Sequence, residues 1–494
     1  MIILDGARLT PWEIAAVARD RVPVGLSDGA RARNATAREV IAAGLESGEP
    51  LYGASTGVGA LRDREVGPED RERFQWNLLR SHAVSAGRPL EPDLVRAGMV
   101  VRANQLGTGG AGVAPELLER LVWALNENVV PVTGELGSLG TGDLPGLAEI
   151  ALVLLGEHRI WRDGKPQLYS EAVDIRLGLR DALGFMSSNA LTAGRAALVC
   201  VDSFDLLERW LSVAALSFEA LQADPVVLDE RVQAARGSSG QSAVAARMRE
   251  LLAGASLAED DPNRLVQDPY PFRVLPQVDG VSHDAVVRLG EVVTRECNSR
   301  GENALIVDSD RLPNGNFHEA ELAAALDALR AALASSASLI AARISAMLDP
   351  RITGLSPFLA QQPGLDSGVM MLEYTAQAAS AEARLLATPM STQTIWASLG
   401  VESHASLAAT AAGRAGELLE AMDVLVAIEL VMAVRALRLS GRRSKGAGTE
   451  ELFDAAALAF PETMKDRALG REIERAQAVL REYSRTRGQS SAVQ

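Results

Sequence analysis

The sequence predicts an all-α protein: a bundle of long helices with a smaller, loop-bearing N-terminal domain. Three observations predict it. Apolar residues recur at three- and four-residue spacing over 319–348, 368–386 and 403–439, and the first and last of these far exceed an average globular helix. Aromatic residues make up only 4% while Ala and Leu abound, which favours helix over sheet. At 494 residues the chain outgrows a single core. The expected divisions are an N-terminal domain at 1–200 carrying a Tyr loop and a Gly-rich loop, the long-helix bundle at 201–440, and a C-terminal helix with a flexible tail at 441–494.

Composition narrows the function. Apolar residues are 47% and charged residues 23%, as in ordinary globular proteins. A formal net charge of -15 argues against an electrostatic nucleic-acid binder and against docking on anionic lipid. Cys200 and Cys297 make neither a disulfide framework nor a metal knuckle, so a reducing cytoplasm fits. Asp5 and Arg8 interrupt the first residues, and no apolar leader core follows. The apolar run 424–434 is broken by Glu429 and bounded by Asp423 and Arg435, which reads as a buried helix and not as a membrane span.

In chain order, a short strand at 1–4 precedes a helix over 10–17 that Thr10 can cap. A second helix covers 30–44. Tyr52-Gly53-Ala54-Ser55-Thr56-Gly57-Val58-Gly59 has three glycines in eight residues and reads as a mobile loop. Helices follow over 75–82, 94–107 and 115–126, the second broken by Gly107-Thr108-Gly109-Gly110. After Gly134-Glu135-Leu136-Gly137-Ser138-Leu139-Gly140-Thr141-Gly142-Asp143 comes a helix over 147–156. Asp163-Gly164 suggests a small hairpin around Arg159 and Gln167. Helices are then expected at 170–177, 190–221, 242–252 and 282–298, with 254–276 irregular. Asn314-Gly315-Asn316 marks a turn within a loop over 301–317. The basic loop 441–448 reads as solvated and without function. A last amphipathic helix spans 466–483, and the Ser/Gln tail is expected to be disordered.

The chemistry lies in the loops. Glycine at the density of 134–142 lets a backbone turn tightly and approach another group closely. Asp143 stands where a helix begins, so its carboxylate can accept the free amides of the first turn. Tyr52 and Tyr270 can transfer protons if their acidity is raised. Arg273 suits a bidentate clamp on a carboxylate. His82 is either a core histidine or a substrate-side group. No Ser-His-Asp order stands out, and the five histidines (82, 158, 283, 318 and 404) show no metal-ligand spacing with Cys or carboxylates.

Six segments fall in one recognisable order: Tyr52-Gly53 with Thr56-Gly57-Val58-Gly59; Asn77 with Ser81-His82; Val130-Pro131, then Gly137-Ser138-Leu139-Gly140 and Gly142-Asp143-Leu144; Gln267-Asp268-Pro269-Tyr270 with Arg273 and Pro276-Gln277; Gly315-Asn316-Phe317-His318; and Glu402 with His404. Over roughly residues 5–440 the chain resembles the aromatic amino acid ammonia-lyase and aminomutase superfamily. The resemblance implies that superfamily's helix bundle and a homotetramer whose sites each draw on three subunits. It implies Tyr52 as the catalytic base, Tyr270 as a second active-site tyrosine and Arg273 as the carboxylate clamp. His82, Gln267, Phe317 and Glu402 would be pocket groups.

The chain also departs from the family. Members carry Ala-Ser-Gly after Gly-Ser-Val/Ile/Leu-Gly, and those three residues cyclise to the electrophile methylideneimidazolone. Here the segment is one residue short, and Gly140-Thr141-Gly142 falls on the triad. Either Gly142 attacks the Gly140 carbonyl and Thr141 dehydrates, giving a hindered electrophile with an extra methyl, or the loop is an uncyclised turn; the second is favoured. The family's Asn-Gly-Thr becomes Ser187-Ser188-Asn189, with Ser187 for the asparagine and an amide two residues on at Asn189. The expectation is an enzyme catalysing elimination, addition or isomerisation on a carboxylate-bearing, amino-acid-derived molecule, without metal, nucleic-acid or membrane partner. The alternatives are an ordinary ammonia-lyase with a Thr141-derived electrophile and a non-catalytic tetramer that binds a ligand or partner.

Overall fold

The structure, a computed structural model, describes residues 1–257 and 266–491. It is mostly helical, with four two-stranded sheets among the described residues. Two compact units emerge, each assembled from three stretches of chain: Met1–Val201, Leu289–Asp327 and Pro389–Gly413 in the first, and Asp202–Arg288, Ala328–Thr388 and Arg414–Gln494 in the second.

The first unit begins as its sequence suggests. Ile2–Leu4 pairs in parallel with Val24–Leu26. Thr10 and Glu13 cap the helix Pro11–Arg19 reciprocally, each side chain bonding the other's backbone. The helices Arg71–His82, Pro92–Leu106 and Pro115–Asn126 follow. The hairpin Arg159–Arg162 with Lys165–Leu168 turns at Asp163-Gly164, as expected.

Three expectations in this unit need correction. Residues 170–177 are irregular and not helical, because their backbone is spent elsewhere: Tyr169 N donates to His158 O and Glu171 N to Gly156 O. The loop 301–317 contains a hairpin, Leu305–Val307 with Asp310–Leu312, which carries Ile306 into a buried cluster with Ala37, Ile41, Leu45, Leu51 and Ala54. The last long helix starts at Ala408 and not near 403, for a reason that lies in the loop described below.

The second unit holds most of the long helices Ala190–Leu221, Leu275–Cys297, Ala320–Leu348 and Ala408–Leu439, with Met370–Leu386 and Gly470–Ser491. Leu275–Cys297 starts a turn and more before the expected 282; Pro276 at its second position costs nothing, since amides there have no intrahelical partner. Ala320–Leu348 is long and apolar enough to cross a membrane, but 72% of its most apolar window is buried inside the protein. The run 424–434 is buried as expected. Its interrupting Glu429 accepts from Arg343 through two parallel bonds, Nε at 2.7 Å and Nη2 at 3.0 Å, and from Ser217 Oγ at 3.0 Å. Burial pushes the neighbouring Asp279 carboxyl up to about 6.

The loop 441–448 is not merely solvated. Ser444 Oγ donates to the buried Glu219 at 2.7 Å, and Lys445 N at 2.9 Å, so the chain is pinned there. The last helix runs to Ser491; the final residues of the tail, 492–494, lie outside the described residues.

Removing one partner of a fully buried ion pair strands the other charge. Arg343→Ala is therefore expected to lower unfolding stability by about 3–5 kcal/mol, read as a fall in the urea midpoint at unchanged slope. A loss near zero would mean that Glu429 finds another cation.

Candidate active site

The Gly-rich loop leaves the strand Gly134–Leu136, which pairs with Ala86–Pro89, and reaches the helix Leu144–Leu154. Gly140 and Gly142 have φ of +77° and +111°, a region in which L side chains are strained. Gly140 is also enclosed. A Cβ there would lie 2.0 Å from Ser406 Oγ and about 3 Å from the amides of Leu407 and Ala408.

The loop is laced to two other segments. The Gly140 carbonyl accepts from Ser406 Oγ at 3.0 Å and from Glu319 N at 3.3 Å. Leu407 N donates to Leu139 O at 2.9 Å, and Thr141 Oγ1 reaches Glu402 Oε2 at 3.4 Å. Ser406 and Leu407 thus spend polar groups on the loop, and Leu407 takes φ +55° before the helix can start at Ala408. This explains the late start of that helix.

Asp143 stands at the helix start, but its carboxylate does not cap the first turn. It accepts from Thr192 N at 2.8 Å and Thr192 Oγ1 at 2.7 Å, while its own N donates to Ser188 O at 2.7 Å. The first turn has less need of a cap, because Pro145 has no amide hydrogen to offer. Burial raises the Asp143 carboxyl, against hydrogen bonds from Ser138, Thr192 and Leu191 that lower it.

The sequence did not mark Glu319. It is 1% exposed, and neither carboxyl oxygen has a partner among the described residues. Burial first, then the carboxylates of Asp143 and Glu296, hold its acidity well below the ordinary range for a carboxyl. Burial without a partner therefore favours the neutral acid, the cheaper form to bury.

The remaining candidates of this unit are arranged around the same loop or away from it. Tyr52 OH accepts from Gly59 N at 2.8 Å, closing the tip of its own loop. That loop meets the segment leading to Glu402, since Ala60 N donates to Ser398 Oγ at 3.2 Å. Asn189 Nδ2 donates to Phe317 O at 2.7 Å, which joins two candidates directly. Ser187 Oγ accepts from Asn303 N at 3.2 Å. His82 ends its helix with Nδ1 2.8 Å from Leu78 O. Another contact links two residues flagged only as motif members: His318 Nε2 lies 2.9 Å from His404 Nδ1. Their 86-residue separation hides the pair from any sequence pattern.

In the second unit, Gln267 and Tyr270 are exposed, Tyr270 by 67%. Arg273 places its guanidinium 5.9 Å from the Tyr270 ring centre, so this cation and this phenol act as neighbours. No group of three His, Cys, Asp or Glu side chains among the described residues is placed to hold a metal ion.

An aromatic amino acid lyase family model matches residues 9–457. The chain belongs to this family. It is 36% identical over 495 residues to a histidine ammonia-lyase of Geobacillus thermodenitrificans, covering 98% of each chain. Among solved structures it is similar to ergothionase, an ergothioneine-degrading enzyme of Treponema denticola, at 28% identity and TM-score 0.93, covering 98% of this chain and 99% of that one. The phenylalanine aminomutase of Pantoea agglomerans gives the same identity and TM-score, over 98% of this chain and all of its own. The protein is an enzyme of the ammonia-lyase superfamily, and its helical architecture is that of these neighbours.

Two predictions follow from the loop of this lyase. Gly140→Ala forces a Cβ into occupied space at a positive φ and is expected to destabilise by about 1–3 kcal/mol. Adding Ser406→Ala should recover only part of that loss in thermal melts, because the Leu407 and Ala408 amides remain. Glu319 binds its proton more tightly folded than unfolded, so its contribution is intact at low pH and is lost as pH rises through its folded value. Glu319→Gln, which cannot ionise, should therefore melt above the parent at pH 8, with the gain shrinking toward pH 5. A gain that grew on acidification would show that Glu319 is buried as the anion.

Proposed function

We propose that this lyase catalyses an elimination on an amino-acid-derived carboxylate and does so without the methylideneimidazolone electrophile of its family. The carrying observation is the seat of Gly140. The residues at the loop do not fit the Ala-Ser-Gly precursor: Gly140 stands where the alanine belongs, a Cβ there meets Ser406 Oγ at 2.0 Å, and Thr141 replaces the serine. A ring made from Thr141 would carry an additional methyl on its electrophilic carbon, hindering the attack it must accept.

The proton-transfer groups remain. In this reading Tyr52 removes the substrate proton, and the electron pair left behind forms the carbon–carbon double bond as the leaving group departs with its own pair. Arg273 holds the substrate carboxylate, Tyr270 orients it or returns a proton, and His82, Gln267, Phe317 and Glu402 shape the pocket. Ser187 and Asn189 add pocket groups from the segment whose Ser188 carbonyl meets Asp143, and there Asn189 fixes the Phe317 backbone. The reading includes a homotetramer with sites shared between copies, a cytoplasmic setting, and no nucleic-acid, membrane or metal partner.

Without an electrophile, an unactivated benzylic proton is hard to remove while ammonia leaves. The favoured substrate therefore carries a better leaving group or a more acidic proton than an ordinary aromatic amino acid. The names of the relatives supply probes: L-histidine, L-phenylalanine, L-tyrosine and ergothioneine.

Intact mass tests the reading first. The expected mass is that of the unmodified chain, and a mass lighter by two waters would sink it. Ergothioneine, whose nitrogen is a permanently charged trimethylammonium, should be consumed faster than the three ordinary amino acids. For whichever probe is consumed, Tyr52→Phe should lower kcat/KM by about 10²–10⁴-fold; full turnover would remove Tyr52 from its role.

A further inference from the structure

We infer that His318 and His404 form a latch that holds the Glu402-bearing segment on the Gly-rich loop, with His318 acting as a positioning residue through His404. This deepens the function proposed above and rests on it for the role of Glu402 as a pocket group.

Three segments meet at Gly140. Residues 317–319 are tied to the loop by Glu319 N on Gly140 O, and to the segment before the helix Ala190–Leu221 by Asn189 on Phe317 O. Residues 402–407 are tied to it by Ser406, Leu407 and the Thr141–Glu402 contact. The histidine pair is the direct side-chain link between those two segments, with the rings 5.0 Å apart and inclined at 38°.

The 402–407 segment needs such a link. It lies outside regular structure, and it is entered through Ser398 and Leu399 and left through Leu407, all with positive φ. Neither end therefore sits in a comfortable backbone well. Of its side-chain ties, the one at Glu402 is long, at 3.4 Å, whereas the Ser406 bond to Gly140 is 3.0 Å and the histidine contact 2.9 Å. An imidazole pair at that distance requires one N–H donor facing one lone pair. Either tautomeric assignment satisfies this distance; the latch takes His318 Nε2 as the acceptor and the exposed His404 Nδ1 as the donor. Burial and the neighbouring His404 make protonation of His318 harder, which keeps that lone pair free.

Hydrogen–deuterium exchange on the full-length protein tests the latch without any substrate, so its outcome is independent of whether a probe is turned over. Peptides covering 398–407 are followed in the parent, His318→Ala, His404→Ala and the double variant. Each single change is expected to speed exchange there about fivefold, the effect of losing one net hydrogen bond, and the double variant should be no faster than either single one. His404→Asn, whose amide nitrogen stands in for the Nδ1 donor, and His318→Gln, whose amide oxygen stands in for the Nε2 acceptor, should restore the parent rate. Peptides from Ala190–Leu221 serve as the folding reference and should not change. Unchanged exchange over 398–407, additive effects in the double variant, or amide variants as fast as the alanines would each overturn the latch.

Discussion

The carbonyl of Gly140 is the point on which the site depends. Ser406 and Glu319 both donate to it, and because they come from distant parts of the chain, one backbone oxygen joins three segments. Only glycine fits there, since the space a Cβ would fill is already taken and φ is positive. Several other features follow from this one. The long helix cannot begin before Ala408, because Ser406 and Leu407 bond the loop and Leu407 takes a positive φ. Thr141 and Glu402 become neighbours, and His318 is brought against His404. Asp143 is turned inward to Thr192 and leaves the first helical turn without a side-chain cap.

The same crowding explains the unusual electrostatics. Packing Asp143, Glu296 and Glu319 in one interior would be prohibitive if all three were charged. Asp143 is supplied with donors and can carry charge, whereas Glu319 has none and keeps its proton. In the second unit the opposite solution appears: Glu429 is buried as an ion because Arg343 meets it through a bidentate fork. Both are ways of keeping an acid inside a helical core, and each assigns a different consequence to its loss.

Much of the fold was legible because helices announce themselves locally. Period, capping residues and glycine breaks placed Pro11–Arg19, Pro115–Asn126 and Ala190–Leu221 within a turn of their observed bounds. Where local and tertiary demands conflicted, the sequence misled. Residues 170–177 have helical composition, yet Glu171 within them and the adjoining Tyr169 bond to Gly156 and His158. The loop 441–448 is basic and glycine-rich, yet it closes on a buried Glu219. The sequence singled out Thr141, Asn189, Phe317 and Glu402, and the structure joins Thr141 to Glu402 and Asn189 to Phe317. Glu319, Ser406 and the pairing of the two histidines were not singled out, because their partners lie in distant parts of the chain.

By itself, then, the sequence determined the helical class, the family and the places of Gly140-Thr141-Gly142, Tyr52, Tyr270 and Arg273 along the chain, since each is written in residue type and short spacing. Only the tertiary structure decided what those residues touch. It turned the Asp143 carboxylate from a cap into a partner of Thr192, closed the space around Gly140, left Glu319 buried without a side-chain partner among the described residues, and set His318 against His404. These outcomes depend on which distant backbone approaches within hydrogen-bond range, and no periodicity along one chain encodes that distance.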